Sequence, residues 1–146
     1  MPSTRTRREV ADEALVRSLF QEHGRAMLAY ATQLTRDRAA AEDVVQEALL
    51  RAWRHPDSLD SGKGSVRGWL LTVVRNIVLD QIRARIDTLD ERIVALLAQR
   101  GAYVHQAARF KRNPLEVHAA GRVEHVIARV VDLAKRTGAN PQVTAH

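Results

Sequence analysis

The sequence has no cysteine among its 146 residues, so disulfides, thiolate metal sites and cysteine nucleophiles are excluded. No apolar run approaches the roughly 18 residues that a membrane span requires. The first ten residues, MPSTRTRREV, contain no apolar segment of the kind found in secretion signals. These absences predict a cytoplasmic protein without a membrane partner.

Aromatic residues are also scarce, at 4%, although 45% of the chain is hydrophobic. A core built mainly from Leu, Val, Ile and Ala favours helices, and no run of alternating β-branched residues indicates a sheet. The chain is therefore predicted to be all-α.

Its net charge of +6 divides evenly at Arg85, with +3 on each side. The charge fits a polyanionic or small anionic partner without assigning that partner to either half.

Local signals divide the chain into helices. Residues 1–11 are small, polar and Arg-rich, and are predicted to be disordered. Helices are predicted at residues 12–34 and 38–54, the second capped by Asp37. The loop HPDSLDSGKGS follows at residues 55–65, and Ser65 can cap the next helix. A last helix is predicted from Asn113-Pro114 to about residue 137, with Gly138 at its C′ position and Pro141 as a second stop.

The helix after the loop contains no stop signal before Asn113. An apolar stripe continues along it without a slip in phase, at Val74, Val78, Ile82, Ile86, Leu89, Ile93 and Leu96. A second apolar face, at Trp69, Val73 and Ile77, ends by Asp80. The pattern predicts one helix over residues 66–110, buried on two sides at its start and on one side afterwards.

Residues 13–85 resemble region 2 of bacterial sigma factors of the extracytoplasmic-function group. The carrying stretches are LFQEHGRAMLAYATQLTRDRAAAEDVVQEALLRAW and RGWLLTVVRNIVLDQIRAR. The resemblance implies docking on the β′ clamp helices of RNA polymerase core through a polar face of the second helix, at Glu42, Asp43, Gln46, Glu47 and Arg51. An ordinary solvated helix face is the alternative for these five residues.

The resemblance also implies that the loop at residues 56–65 and the helix after it read the −10 promoter strand. Such a loop can enclose an unstacked base while cations follow the backbone. The candidate DNA contacts are Lys63, Arg67, Arg75, Asn76 and Arg83. An ion pair with Asp80 is the alternative for Arg75. Nothing after Arg85 resembles the −35-reading region 4, so this chain is not expected to direct initiation well alone.

Residues 83–143 resemble the all-helical chorismate mutases, and within them the isochorismate–pyruvate lyases. The carrying stretches are RARIDTLDERIVALLAQRGAYVHQAARFK and GRVEHVIARVVDLAKRTGANPQV. The resemblance implies a cationic cage for a dicarboxylate, with catalytic positions at Arg83, Arg100, Lys111 and Arg122. Arg100 and Lys111 fall on the apolar stripe, and two cations on the buried side of a helix are unusual without an anion between them; snorkelling side chains are the alternative.

The mutase-like segment is expected to be incomplete. Its family has a third helix that closes the site, whereas this sequence stops at PQVTAH, and Val123 replaces an acidic residue found in many mutases. Little or no catalysis, no cofactor and no metal are expected, and apolar faces left without cover predict a homodimer through residues 86–137.

Three functions stay open for the whole chain. The first is a sigma-like module, residues 12–85, joined to a mutase-like segment, residues 86–146, that is inactive. The second is a chorismate mutase or isochorismate–pyruvate lyase type of enzyme. The third is a natural or engineered chimeric scaffold with neither activity.

Overall fold

A computed structural model describes residues 7–60, 62, 64–110 and 120–145. Every regular element in these ranges is helical, as the composition predicts. The helices are α1 (Arg7–Thr35), α2 (Arg38–Arg54), α3 (Val66–Ala108), α4 (Ala120–Thr137) and α5 (Pro141–Thr144), with a 3₁₀ turn at Pro56–Ser58. The chain forms two compact units, Met1–Asp90 and Glu91–His146, and the division between them falls within α3.

The helix boundaries follow from capping groups that the sequence supplies. Asp37 Oδ1 accepts hydrogen bonds from the backbone N–H groups of Ala39 and Ala40 at 2.9 and 3.2 Å, which starts α2. Ser65 Oγ accepts from the N–H of Gly68 at 3.0 Å and starts α3. Gly138, at a φ of 75°, ends α4 in the left-handed conformation that glycine adopts without strain. All three capping predictions are confirmed.

The core of the first unit is formed by α1, α2 and the beginning of α3. Met27, Val44, Leu70 and Val74 are its largest fully buried side chains. Trp69 and Val73 pack against this core, and Ile77 is buried within it. The predicted two-sided burial at the start of α3 is therefore correct. Close packing of three helices here holds the α2 surface and the start of α3 in fixed positions.

Two predictions about the ends of elements are wrong, and a third is not tested. Residues 7–11 are not disordered, because α1 begins at Arg7 and includes them; residues 1–6 lie outside the described part of the chain. Pro141 does not act only as a stop. Asn140 Oδ1 accepts from the N–H of Gln142 at 2.9 Å, and Pro141 occupies the first turn of α5. The predicted start at Asn113-Pro114 lies outside the described residues.

The long helix is continuous from Val66 to Ala108, across the whole stretch from Asp80 to Leu89, as predicted. The predicted one-sided burial of its later part is wrong. Ile86, Leu89, Ile93 and Leu96 are 50 to 60% exposed. Periodicity identifies the apolar face of a helix, but burial also needs an element that covers it.

Candidate functional site

The polar face of α2 contains two kinds of position. Glu42, Asp43 and Gln46 are exposed on the side of the helix away from the core, whereas Glu47 and Arg51 are only partly exposed. Arg51 Nε lies 3.2 Å from Glu47 Oε1, so these two side chains bind each other one turn apart. Glu42 Oε1 lies 3.1 Å from Nε of Arg38, which the sequence analysis did not select. Asp43 and Gln46 are therefore the predicted residues most open to a partner.

Two apolar residues extend this face. Leu50 and Trp53 follow Gln46 at helical spacing and are 44% and 43% exposed. They line a cleft of about 800 Å³, together with Val16 and Phe20 of α1 and the acidic side chains at its start. The residues predicted from the sequence to bind a partner in this stretch are all polar and do not include these two. The sequence feature that could have identified them is the presence of two large apolar residues on a helix face that is otherwise assigned to solvent.

The loop before α3 and the first turns of that helix enclose a smaller cleft. Its volume is about 340 Å³, and the described residues that line it are Ser58, Leu59, Gly64, Ser65, Gly68, Trp69 and Thr72. The hydroxyl of Thr72 donates to the Gly68 carbonyl at 2.9 Å. Gly64, at a φ of 135°, takes a conformation that favours glycine. The cleft combines hydroxyl groups with one aromatic ring, which are groups that can contact a nucleotide base.

The predicted DNA contacts surround the beginning of α3. Arg67, Arg75, Asn76 and Arg83 are all exposed, and Lys63 lies outside the described residues. Arg75, Asn76 and Arg83 lie on the side of α3 opposite its buried residues. Asp80 Oδ1 lies 3.7 Å from Arg83 Nη1, and the described residues contain no ion pair between Asp80 and Arg75. The alternative partner proposed for Arg75 is thus engaged by Arg83.

The predicted catalytic cations lie at exposed positions wherever the structure describes them. Arg83, Arg100 and Arg122 are all exposed, and Lys111 lies outside the described residues. The expectation that Arg100 lies on the buried side of its helix is wrong, because the stripe around it is itself exposed. Exposed cations act at high dielectric, where their attraction for an anion is weak.

The described residues contain no group of three or more His, Asp or Glu side chains that could hold a metal ion. Among the helices described, none is long and apolar enough to cross a membrane.

Comparisons with known proteins match two successive parts of the chain to two different families. Residues 19–86 match the family described as sigma-70 region 2, and residues 82–146 match chorismate mutase type II. The extracytoplasmic-function RNA polymerase sigma factor SigL of Mycobacterium tuberculosis is 49% identical over 74 residues, which cover 51% of this chain and 42% of the relative.

SigK of Mycobacterium bovis, another extracytoplasmic-function RNA polymerase sigma factor, is 30% identical over 72 residues, which cover 49% of this chain and 38% of the relative. The chain thus spans less than half the length of these two curated relatives. The two family matches overlap at residues 82–86, inside the continuous helix α3. The chain joins an N-terminal half that resembles region 2 of the extracytoplasmic-function sigma factors to a C-terminal half that resembles the type II chorismate mutases.

Proposed function

We propose that the first unit binds RNA polymerase core through α2 and a single-stranded −10 promoter element through the start of α3. The observation that carries this proposal is the composite face of α2. Asp43 and Gln46 are exposed beside Leu50 and Trp53, on a helix whose opposite side is fully buried. Exposed apolar side chains next to charged ones are typical of a protein-binding surface.

The partner of this face is proposed to be the clamp helices of the polymerase β′ subunit. SigL and SigK are RNA polymerase sigma factors by name, and the match to sigma-70 region 2, over residues 19–86, includes α2. Core polymerase should therefore retain the full-length chain on an affinity column. Asp43→Arg should reduce retention at least tenfold, because a charge reversal in an interface costs more than lost contacts alone. Asp87→Arg makes the same change at an exposed position on α3 and should bind like the unaltered chain. Equal retention of all three proteins would count against the α2 face.

The DNA site is proposed to combine the 340 Å³ cleft with the cations around it. An unstacked base would enter between Ser65 and Trp69, while Arg67, Arg75 and Arg83 follow the phosphates. Lys63 would be a fourth cation. Four phosphate contacts predict that log K falls with log salt at a slope of about −3, and loss of one contact lowers its magnitude by about 0.7.

Fluorescence anisotropy of a labelled −10 single strand tests this site. Arg75→Ala should weaken binding and reduce the salt slope, whereas Arg25→Ala, an exposed position on α1, should change neither. An affinity that does not depend on salt would show that these cations are not the contacts.

The mutase-like half is proposed to be catalytically inactive in this chain. Its support is the exposure of Arg100 and Arg122, since the family's reaction depends on cations in a water-excluded site. Chorismate absorbance and pyruvate release from isochorismate should stay at background. The family match over residues 82–146 keeps the enzyme as a second candidate. Turnover that disappears in Arg100→Ala would favour that candidate over ours.

We further propose that the chain is a homodimer in the cytoplasm, where core polymerase is present. The dimer is supported by the apolar side chains that α3 leaves exposed between residues 82 and 104.

We also propose that the protein is a fusion whose two functional segments meet after Arg85, because the two family matches overlap only at residues 82–86. If the chain binds neither core polymerase nor the −10 single strand, the third function, a chimeric scaffold with neither activity, is favoured.

A further inference from the structure

The interior of α1 contains a buried glycine at residue 24. Glycine in the interior of a helix is less favourable than alanine, because it loses more backbone freedom on folding. The φ of Gly24 is not positive, so the backbone of α1 does not require glycine at this position. The reason for a glycine here therefore lies in the atoms around it.

The ring of Phe20 occupies the space that a side chain at residue 24 would need. A Cβ atom at residue 24 would lie 2.9 Å from Cδ2 of Phe20, 3.1 Å from Cε2 and 3.3 Å from Cγ. Nonbonded carbon atoms are most stable about 3.5–4.0 Å apart, so the ring would have to move. Gly101, in the interior of α3, differs, because a Cβ atom there would meet no side chain within 4 Å. The absence of a side chain at residue 24 therefore lets the Phe20 ring lie against α1.

Phe20 forms part of the α1 wall of the cleft of about 800 Å³, and Leu50 and Trp53 form part of the α2 wall. The Phe20 side chain is 56% exposed, so its ring is available to a partner. The cleft is continuous with the α2 face proposed to bind polymerase, because Leu50 and Trp53 belong to both. A ring displaced from Gly24 would either fill the cleft or remove one of its walls.

The charges at the edge of the cleft indicate the chemistry of its occupant. Glu9, Asp12 and Glu13 line the cleft at the start of α1, and Arg17 is the one basic side chain among the described residues that line it. This local excess of carboxylates is opposite in sign to the net charge of +6 of the chain. Apolar walls beside carboxylates fit a large apolar side chain that has a cationic group next to it.

We infer that Gly24 is a positioning residue that holds Phe20 against α1, and that the polymerase-binding surface thereby extends from α2 onto α1. The cleft takes an apolar side chain of core polymerase that lies next to a cationic group. This inference rests on the proposed binding of core polymerase and adds a second helix to that surface. Gly24 acts through Phe20 and does not itself contact the partner.

Equilibrium titration of core polymerase with labelled full-length chains tests the roles of both residues. Phe20→Ala removes part of the cleft wall and should weaken binding about three- to tenfold. Gly24→Ala displaces the ring and should weaken binding by a similar factor. Because Gly24 acts through Phe20, the double variant should bind no more weakly than Phe20→Ala alone. Two losses that multiply in the double variant would contradict the role assigned to Gly24.

A matched glycine and a folding measurement separate positioning from stability. Gly101→Ala makes the same change where no side chain lies nearby, and it should bind within about twofold of the unaltered chain. Gly24→Ala should keep the urea midpoint of the first unit, measured by tryptophan fluorescence, while it loses affinity. A midpoint that falls together with the affinity, when Phe20→Ala binds like the unaltered chain, would show that Gly24 serves folding only and would overturn the inference.

Charge reversal at the edge of the cleft tests the chemistry of the occupant. Asp12→Arg should weaken polymerase binding about threefold or more, because it places a cation beside the expected cationic group. Asp87→Arg makes the same change on α3 and should bind like the unaltered chain. Equal binding by these two variants would contradict a cationic group at the edge of the cleft.

The same titrations distinguish failure of this inference from failure of the proposed function. If the unaltered chain does not bind core polymerase, both are wrong. If it binds, and Asp43→Arg weakens binding whereas Phe20→Ala does not, the α2 face is supported and its extension onto α1 is wrong.

Discussion

The two ends of α3 contrast in burial although their sequences look alike. Leu70 and Val74 are fully buried, whereas Ile93 and Leu96, on the same helix, are 52% and 60% exposed. The difference lies in the cover that α1 and α2 provide for the first residues only. Equally hydrophobic residues at the two ends of α3 should therefore contribute unequally to the free energy of unfolding, because only a covered side chain is removed from water.

Truncation of one leucine at each end measures this difference. Leu70→Ala should lower the free energy of unfolding of the first unit by about 2–5 kcal/mol, because it leaves a cavity among fully buried side chains. Leu96→Ala should change it by less than about 0.5 kcal/mol, because residue 96 lies outside that unit. Urea denaturation followed by tryptophan fluorescence reports the first unit, since Trp53 and Trp69 both belong to it. Equal losses from the two variants would show that the stability of the first unit depends on the later part of α3.

A break in α3 tests whether its two parts depend on each other. Ile86→Pro removes a backbone hydrogen bond in the helix interior and should cost the helix about 3 kcal/mol or more. We expect the helix beyond residue 82 to unfold, which lowers the helical signal in far-UV circular dichroism. The tryptophan fluorescence and urea midpoint of the first unit should change little, because its core ends at Val78. Loss of the tryptophan signal together with the helical signal would show that the core extends past Val78. Ile86→Ala is the matched control and should retain the helix.

A smaller effect is expected at the turn between α1 and α2. Asp37→Ala removes the acceptor for the N–H groups of Ala39 and Ala40 and should cost about 1 kcal/mol. The urea midpoint of the first unit should fall accordingly. Asp87→Ala removes an exposed carboxylate in a helix interior and should change the free energy of unfolding of the first unit by less than about 0.5 kcal/mol. Equal shifts would show that the loss at residue 37 comes from charge rather than capping.

The elements that the sequence predicts well are those with local causes. Asp37, Ser65 and Gly138 act through hydrogen bonds or backbone angles within a few residues, so spacing alone identified their roles. The continuity of α3 follows in the same way from an unbroken apolar period. Asn140-Pro141 carries an equally local signal for a helix start, which the prediction of a second stop at Pro141 did not use.

The remaining features depend on contacts between distant residues. The exposure of Ile93 and Arg100 cannot be predicted from period, because it depends on whether another element lies over them. The apolar part of the α2 face was missed for the same reason. Leu50 and Trp53 are large apolar residues on the solvent face of α2, and the position of α1 leaves them at an open cleft. The sequence therefore predicts which part of the chain holds the candidate site but not which of its side chains are exposed.

The binding of full-length chain to RNA polymerase core is the most direct test of the proposed division between the two halves. Equilibrium titration of a labelled chain should give saturable binding, with Asp43→Arg weaker by tenfold or more and Leu50→Ala weaker by about three- to tenfold. Arg100→Ala lies in the mutase-like half and should bind within twofold of the unaltered chain. If the chain does not bind, or if Arg100→Ala weakens binding as much as Asp43→Arg, the first unit is not the part that binds polymerase.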